Sequence, residues 1–527
     1  MTAVNSYTVR DFARECLRYD PDLILIYAGH NEFYGALGSA SSQHSLFGTN
    51  RTLTLLYLKL KRLRLYQLLQ NIILKLQPKK HSQDSRTLMA RMAQNQAIPY
   101  HSTLYRKTLT IFQRNLQDII NWTQQQQVPL LLGTLVSNLK DLPPFVSLHD
   151  PRVNPQTVDA LLKQIETTID QQHYLPALNQ LQDLLSYDST YANAHFLAGR
   201  CTEALQQFNQ AREYYIKARD YDALRFRASS DLNNIIYQLA RQKQVYLTDI
   251  DAAFSAHSPN GIAGNNLLLE HLHPNLEGYF LMAKTFAQTI LQLRLLNQKH
   301  PNLPTPQPLP PDSLIKNQIA VTNLDKQIAE YRMQILTSGW PFTSHTQYLT
   351  LEDFIPRSIV QEQALAVLKK TSNYEKAHVY LAEYYRKKGQ LELALKEYYT
   401  LATTFPINES PLLKMGRLLV KLKQYDQALP ILKKGLRLVD DYFSVKWAGT
   451  IHLQRQEVKA ALPLLQRAHS MNPQDAQTMY NLSGAYFFNG DTVKALETVE
   501  RLLQTYPSFP NAREFQAKLS QAIQRKP

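Results

Sequence analysis

Apolar positions in the first part of the chain alternate between two periods. In "TVRDFARECL", Val9, Phe12, Ala13, Cys16 and Leu17 recur at helical spacing, with Thr8 and Asp11 placed as a capping box and Cys16 on the core-facing stripe. Asp20-Pro21 stops that helix. An unbroken apolar run follows at residues 23–27, the pattern of a strand covered on both faces. Leu109, Phe112, Leu116, Ile119 and Ile120 mark a helix that leads into a second such run, "VPLLLGTLVSN" at 128–138. Leu232, Ile235, Ile236 and Leu239 mark another, leading into "VYLTDIDAAF" at 245–254, and a final helix begins after "HLHPNLEGY". Helix and strand in alternation predict an α/β domain with a parallel sheet and helices on both faces.

A different period interrupts this alternation between the second and third strands. Ala177 and Ala211 stand 34 residues apart, and "AHFLAGRCTEALQQFNQAREYYIKA" reads as helix–turn–helix. Near the C-terminus the pair Ala-Leu recurs at 394, 428, 461 and 495, with spacings of 34, 33 and 34. Pro406, Pro473 and Pro507 each follow the matching alanine by 12 residues, and only the second repeat has Asp440 there instead. A period of about 34, with small residues where paired helices touch, is the tetratricopeptide signature and predicts all-α repeats. Phe515, Leu519 and Ile523 share one stripe of a last helix that caps the stack. The pattern divides the chain into a first α/β part at 1–150, with a helical insertion at 51–100, and inserted repeats at 155–225. A last α/β part follows at 226–298, then a linker and helices at 299–370, opened by "HPNLPTPQPLPPDS", and a C-terminal array at 371–527.

Bulk numbers add limits. A chain of 527 residues, 44% hydrophobic, has room for two to four domains. Two cysteines give no disulfide framework, and no metal-ligand spacing occurs. The net charge of +15 is spread along the chain and concentrates only at "YLKLKRLRLYQ", residues 57–67, where Lys59, Lys61, Arg62 and Arg64 sit among leucines. That stretch reads as a basic amphipathic helix packed on its own domain, with contact to a membrane surface or an anionic substrate as the alternative. No nucleic-acid motif accompanies it, so nucleic acid is not an expected partner. Neither a run of 18 apolar residues nor a signal peptide is visible. Localisation is therefore unknown: cytoplasmic as the chain stands, the cell envelope if an N-terminal anchor precedes it.

Ligands of open α/β sheets bind beyond the carboxyl ends of the strands. "GHNE" follows the first strand, "SNLKD" the second, and "DID" with "EHLHP" the third. "GHNEFYG" resembles the third sequence block of the SGNH (GDSL-type) esterases, and "EHLHP" is similar to their fifth. Together with the repeats, "TAVNSY", "GTLVSNLKDLPPF" and "ALRFRASSDLNNII" resemble a bacterial subgroup of that family, over residues 1–298. The resemblance implies a partial flavodoxin-like three-layer domain acting on an acyl ester, a carbohydrate O-acyl ester among the options, without a cofactor. In it His273 is general base, and Glu270, in the place of the usual aspartate, orients it. Asn31 is oxyanion donor and Gly29 tightens its turn.

The family's Gly-Asp-Ser nucleophile element does not precede Gly29. The expectation is of an N-terminally truncated member that has no nucleophile and is inactive as given, with residues 23–27 turned into a sheet edge. Ser6, the only upstream serine, sits where a helix starts rather than on a strand-to-helix elbow. Asp249 and Asp251 read as strand-end polar residues, Asp251 being a fallback acid, and His271 with His273 lacks a third metal ligand. The alternative is a non-enzymatic tetratricopeptide scaffold carrying a degenerate hydrolase remnant. On either reading the repeats offer a surface to a protein or peptide partner.

Overall fold

The computed structural model describes residues 4–41, 50–68, 97–243, 245–343 and 348–524. They fall into two compact units, Met1–Asn317 with Met333–Tyr348, and Gln318–Arg332 with Leu349–Pro527. The first unit opens with α1 (Ser6–Cys16), β1 (Ile24–Ile26), α2 (Arg51–Leu60), α3 (Thr103–Gln125) and β2 (Leu130–Gly133). Four helices follow: α4 (Pro155–Asp170), α5 (Tyr174–Tyr187), α6 (Ala192–Ala204) and α7 (Phe208–Tyr221). Then come α8 (Ser230–Lys243), β3 (Tyr246–Thr248), α9 (Ile250–Ala256), α10 (Leu276–Gln292) and α11 (Asp312–Asn317). Most of the helical insertion expected at 51–100 lies outside the described residues.

The described strands form one parallel sheet in the order β1-β2-β3, with Ile24 opposite Leu130 and Leu131 opposite Tyr246. β2 is central and wholly buried. Its Leu130 and Leu132 join Phe112, Leu116, Ile120 and Leu232 in one core, while Leu131 joins Phe254, Leu281 and Phe286 in another. The alternation of side chains along a strand thus gives the sheet an apolar layer on each face. Three strands this short leave the chain mostly helical. They establish a small parallel sheet and not a flavodoxin-like domain.

Three expectations need correction. β1 takes the edge position expected of it among the described residues, but Leu25 is 41% exposed, so this apolar run is not covered on both faces. The third run is a strand only to Thr248. The Asp249 side chain accepts from the Ala252 amide at 3.0 Å and starts α9, converting the rest of the run to helix. In α1 the cap is Asn5 rather than Thr8, and the buried residues are Ser6, Tyr7 and Ala13. Cys16 and Phe12 are exposed, because the buried Glu32 carboxylate binds Ser6 through its amide (2.9 Å) and hydroxyl (2.6 Å) and sets the rotation of the helix.

The second unit contains α12 (Asn323–Thr337) as far as Arg332, then α13 (Ile359–Leu368). Hairpins follow as α14 (Tyr374–Lys387) with α15 (Leu391–Thr404), and α16 (Glu409–Lys421) with α17 (Tyr425–Leu436). Next are α18 (Tyr442–Gln454) with α19 (Val458–Met471), α20 (Ala476–Phe488) with α21 (Thr492–Thr505), and last α22 (Ala512–Gln524). Within the stretch read as linker and helices, Leu324, Ile328, Tyr331 and Leu365 pack into the same core as Ala377 and Leu381. His378, wholly buried, ties α12 to the first hairpin: its Nδ1 lies 2.5 Å from Glu397 Oε2 and its Nε2 3.7 Å from Asp325 Oδ1. Burial alone would lower the His378 pKa, but the two carboxylates together raise it.

Every hairpin with the 34-residue period carries a buried alanine at the same place on its second helix. Ala177, Ala211, Ala394, Ala428, Ala461 and Ala495 are all fully buried. Twelve residues before each stands Ile165, Gly199, Ala382, Gly416, Gly449 or Ser483 on the preceding helix. Ser483 Oγ donates to the Ala495 carbonyl at 2.6 Å, so the two positions touch where the helices cross. A Cβ on Gly416 would lie 2.6 Å from Leu432 Cδ2, one on Gly199 2.7 Å from the Tyr215 ring, and one on Gly449 2.9 Å from Leu465 Cγ. Gly449→Val should therefore destabilise the second unit by about 1–3 kcal/mol through overpacking. Thermal denaturation followed by circular dichroism should show a drop of about 2–4 °C per kcal/mol. An unchanged melting curve would mean that the crossing has room to spare.

Candidate functional site

All three strands run the same way, so their following loops gather at one end of the sheet. After β1 the chain turns at Gly29, where a Cβ would collide with the Leu135 side chain from the loop after β2. Close approach of two loops is what requires glycine here. The turn is held by the Glu32 amide on the Gly29 carbonyl (3.2 Å) and the Gly35 amide on the Asn31 carbonyl (2.8 Å). Glu32 points away from the loops into α1, where burial pushes its carboxyl up to about 7 against the lowering effect of the Ser6 bonds. His30 is buried and its Nδ1 accepts from the Ala228 amide at 3.1 Å, which puts the proton on Nε2. Burial, with His273 and Arg219 nearby, pushes His30 down to about 3, so it is neutral. Asn31 is half-buried, and its side chain makes no hydrogen bond to another described residue.

A buried polar knot fastens the other loops. The Asn138 amide donates to the His271 carbonyl (3.0 Å), and Asn138 Nδ2 donates to Asn265 Oδ1 (2.8 Å). The Arg227 guanidinium, 2% exposed, donates to the carbonyls of Asn138 (3.0 Å) and Leu142 (3.1 Å) and pairs with Asp222 at 3.1 Å. Asp222 in turn accepts from the amides of Phe145 and Val146, both at 3.0 Å. Residues 222–229, between α7 and α8, thus bind the loop after β2 through Arg227 and the loop after β1 through Ala228.

Glu270 and His273 meet on this edge. Glu270 Oε1 accepts from the His273 amide at 2.7 Å and from its ring Nδ1 at 2.5 Å, while Oε2 accepts from the His271 amide at 2.8 Å. Glu270 is buried, and the His273 side chain is 54% exposed. Donation from Nδ1 leaves Nε2 as a proton acceptor, and burial lowers the His273 pKa, so the ring is neutral and basic at neutral pH. His271 is enclosed by Phe145, Phe226 and Phe342 and held well below its ordinary pKa by burial. Its ring Nδ1 also lies against Glu270 Oε2, so the buried Glu270 carboxylate faces the rings of both His271 and His273.

The sequence-derived residues therefore divide. Gly29 and Asn31 lie in the loop after β1, while Glu270 and His273 lie beside the loop after β2, where the Asn138 amide binds the His271 carbonyl; His273 is near enough to help lower the His30 pKa. Ser6 lies elsewhere, its hydroxyl held between Glu32 and Asn115 Nδ2 (2.8 Å). Asp251 pairs with Arg212 at 3.4 Å, with its pKa raised by burial. Asp249 accepts from Tyr237 (2.7 Å) and Thr134 (2.9 Å). His30, Asn138 and Arg227 were given no part by sequence reasoning. The quoted segments "GHNE", "SNLKD" and "ALRFRASSDLNNII" contained them, but nothing in the spacing said that they bind one another. Among the described residues no three His, Cys, Asp or Glu side chains are grouped to hold a metal ion.

The comparisons with known proteins bear on the helical repeats. Residues 452–519, from the end of α18 into α22, match the tetratricopeptide repeat family. Among solved structures, MamA from Desulfovibrio magneticus RS-1 is 22% identical, with 29% of this chain and 87% of that one covered and a TM-score of 0.27. YrrB, described as a TPR protein with an unusual peptide-binding site, is 19% identical, with 31% and 84% covered and a TM-score of 0.29. No curated protein matches the chain. The protein carries tetratricopeptide repeats.

The Glu32 anchor makes a pH prediction. A carboxyl raised to about 7 when folded binds more protons than the unfolded chain between roughly pH 4.3 and 7. Its contribution is therefore largest below that window, falls as pH rises through it, and is constant above. Urea unfolding at pH 5 and pH 8 should show wild type losing on the order of 2 kcal/mol relative to Glu32→Gln over that interval. A difference between the two proteins that does not change with pH would place the Glu32 titration outside this range.

Proposed function

We propose that this protein is a scaffold whose tetratricopeptide array holds a protein or peptide partner. The observation that carries the reading is the regular face made by the first helices of successive hairpins. Lys414 on α16 reaches Glu383 on α14 at 3.7 Å, Arg417 on α16 reaches Asp441 at 3.0 Å, and Lys446 on α18 reaches Asp475 at 2.7 Å. Exposed Arg417 also lies over the Phe443 ring at 5.4 Å. Stacked repeats of this sort form extended concave surfaces, and a polar ladder with aromatic rungs suits an extended chain. Peptides selected from a display library against the full chain should lose binding with Arg417→Glu and Phe443→Asp and keep it with His273→Ala. Selected peptides indifferent to both array variants would contradict the reading.

A second reading is favoured by one observation, the 2.5 Å contact between His273 Nδ1 and Glu270 Oε1 at the carboxyl edge of the sheet. In it the first unit is an SGNH-like ester-hydrolase site or its remnant. His273 would take at Nε2 the proton of an attacking hydroxyl that none of the residues named here supplies, Glu270 would fix the ring, and Asn31 with Gly29 would face the oxyanion formed on the acyl ester. Ser6, engaged with Glu32 and Asn115, is not its nucleophile. The two readings separate in one assay, hydrolysis of a short activated ester by the full chain. The scaffold reading expects no turnover that a serine-directed phosphonate stops. Phosphonate-sensitive turnover that His273→Ala abolishes would put the hydrolase reading first.

A further inference from the structure

Exposed apolar surface in the first unit concentrates on α2 and the residues just after it. Leu53, Leu56 and Leu60 follow one another at steps of 3 and 4, one stripe of a helix, and Leu63, Leu65 and Leu68 continue the run. All six are between 39% and 69% exposed. Such a stripe ordinarily faces the core. Here the helix is fastened by polar residues instead. Thr54 is buried, Arg51 Nε donates to Asn115 Oδ1 (2.9 Å), Arg51 also pairs with Asp118 (2.5 Å), and Arg62 pairs with Asp11. Leu55 and Leu58 are half-buried beside them.

Charge narrows what this face suits. Residues 51–68 hold five basic side chains and no acidic one. Arg51 and Arg62 hold the helix in place, while Lys59, Lys61 and Arg64 stand exposed among the leucines. Leucines that seek an apolar medium, with cations at the same level, match a bilayer whose headgroups are anionic. Nucleic acid would leave the leucines in water, and a neutral bilayer would leave the cations without partners. Among the described residues no helix is long and apolar enough to cross a membrane, so the contact inferred for α2 is one in the interface.

We propose that residues 51–68 are a docking surface for an anionic lipid bilayer, independent of what the repeats bind. The test is co-sedimentation of the full chain with vesicles of phosphatidylcholine, with and without phosphatidylglycerol. The protein should pellet with the anionic vesicles, less so as salt is added. Leu56→Asp combined with Leu60→Asp should weaken partitioning about tenfold or more, and Lys59→Glu and Arg64→Glu should each weaken it about fivefold or more. These side chains are exposed, so the circular dichroism spectrum and melting temperature should not move. Failure to pellet with anionic vesicles, or pelleting that the leucine variant leaves intact, overturns the proposal. Self-association that the leucine variant abolishes, with no protein on the vesicles, would identify a second copy of the chain as the occupant and overturn it equally.

Discussion

Two helices can cross closely only where side chains leave room, and that constraint sets most of this protein's architecture. Six alanines, all fully buried, mark the crossing on the second helix of each repeat hairpin in both units. Glycine, alanine or serine stands twelve residues before five of them, and before Ala177 stands Ile165, a larger side chain that is also fully buried; the glycines Gly199, Gly416 and Gly449 make room for Tyr215, Leu432 and Leu465. Helix length, loop length and the 34-residue period follow from repeating that crossing. The side chains left on the open face of the first helices, Arg417, Phe443 and Lys446 among them, owe their regular spacing to it.

The loops at the sheet edge are ordered by a different device. Short strands bury little, and the three described strands contribute ten residues between them. What keeps the loops in register is the buried Arg227–Asp222 pair, which satisfies backbone groups on either side of it, with His30 held neutral against Ala228. A buried pair of this kind is weak evidence for stability, since desolvation offsets much of its attraction, but its loss strands several polar groups at once. It fixes an arrangement in which Glu270 orients His273. It leaves a neutral imidazole, with Nε2 unprotonated, beside the carboxyl end of a parallel sheet.

The repeats were legible because spacing and small residues are properties of sequence alone. So were the central strand and helices α3 and α8, where Leu130–Leu132, Phe112, Leu116, Ile119, Ile120 and Leu232 all lie in the cores. The misreadings have a common cause: periodicity identifies an apolar stripe without saying which way it faces. Glu32, 26 residues away from Ser6, rotates α1 and leaves Cys16 in water. Arg51 and Arg62 turn the leucines of α2 outward. Asp249 ends a strand because it caps a helix. For the site, the Glu270–His273 spacing placed both groups in one loop, whereas Arg227, 89 residues from Asn138, had no signature.

Hydrogen exchange on the full chain, with and without a saturating selected peptide, tests the central claim most directly. The account predicts slower exchange at the amides of α16 and α18 and no change in the loops at residues 29–35 and 270–273. Protection confined to those loops, with the array helices unaffected, would contradict it and move the binding site to the sheet edge.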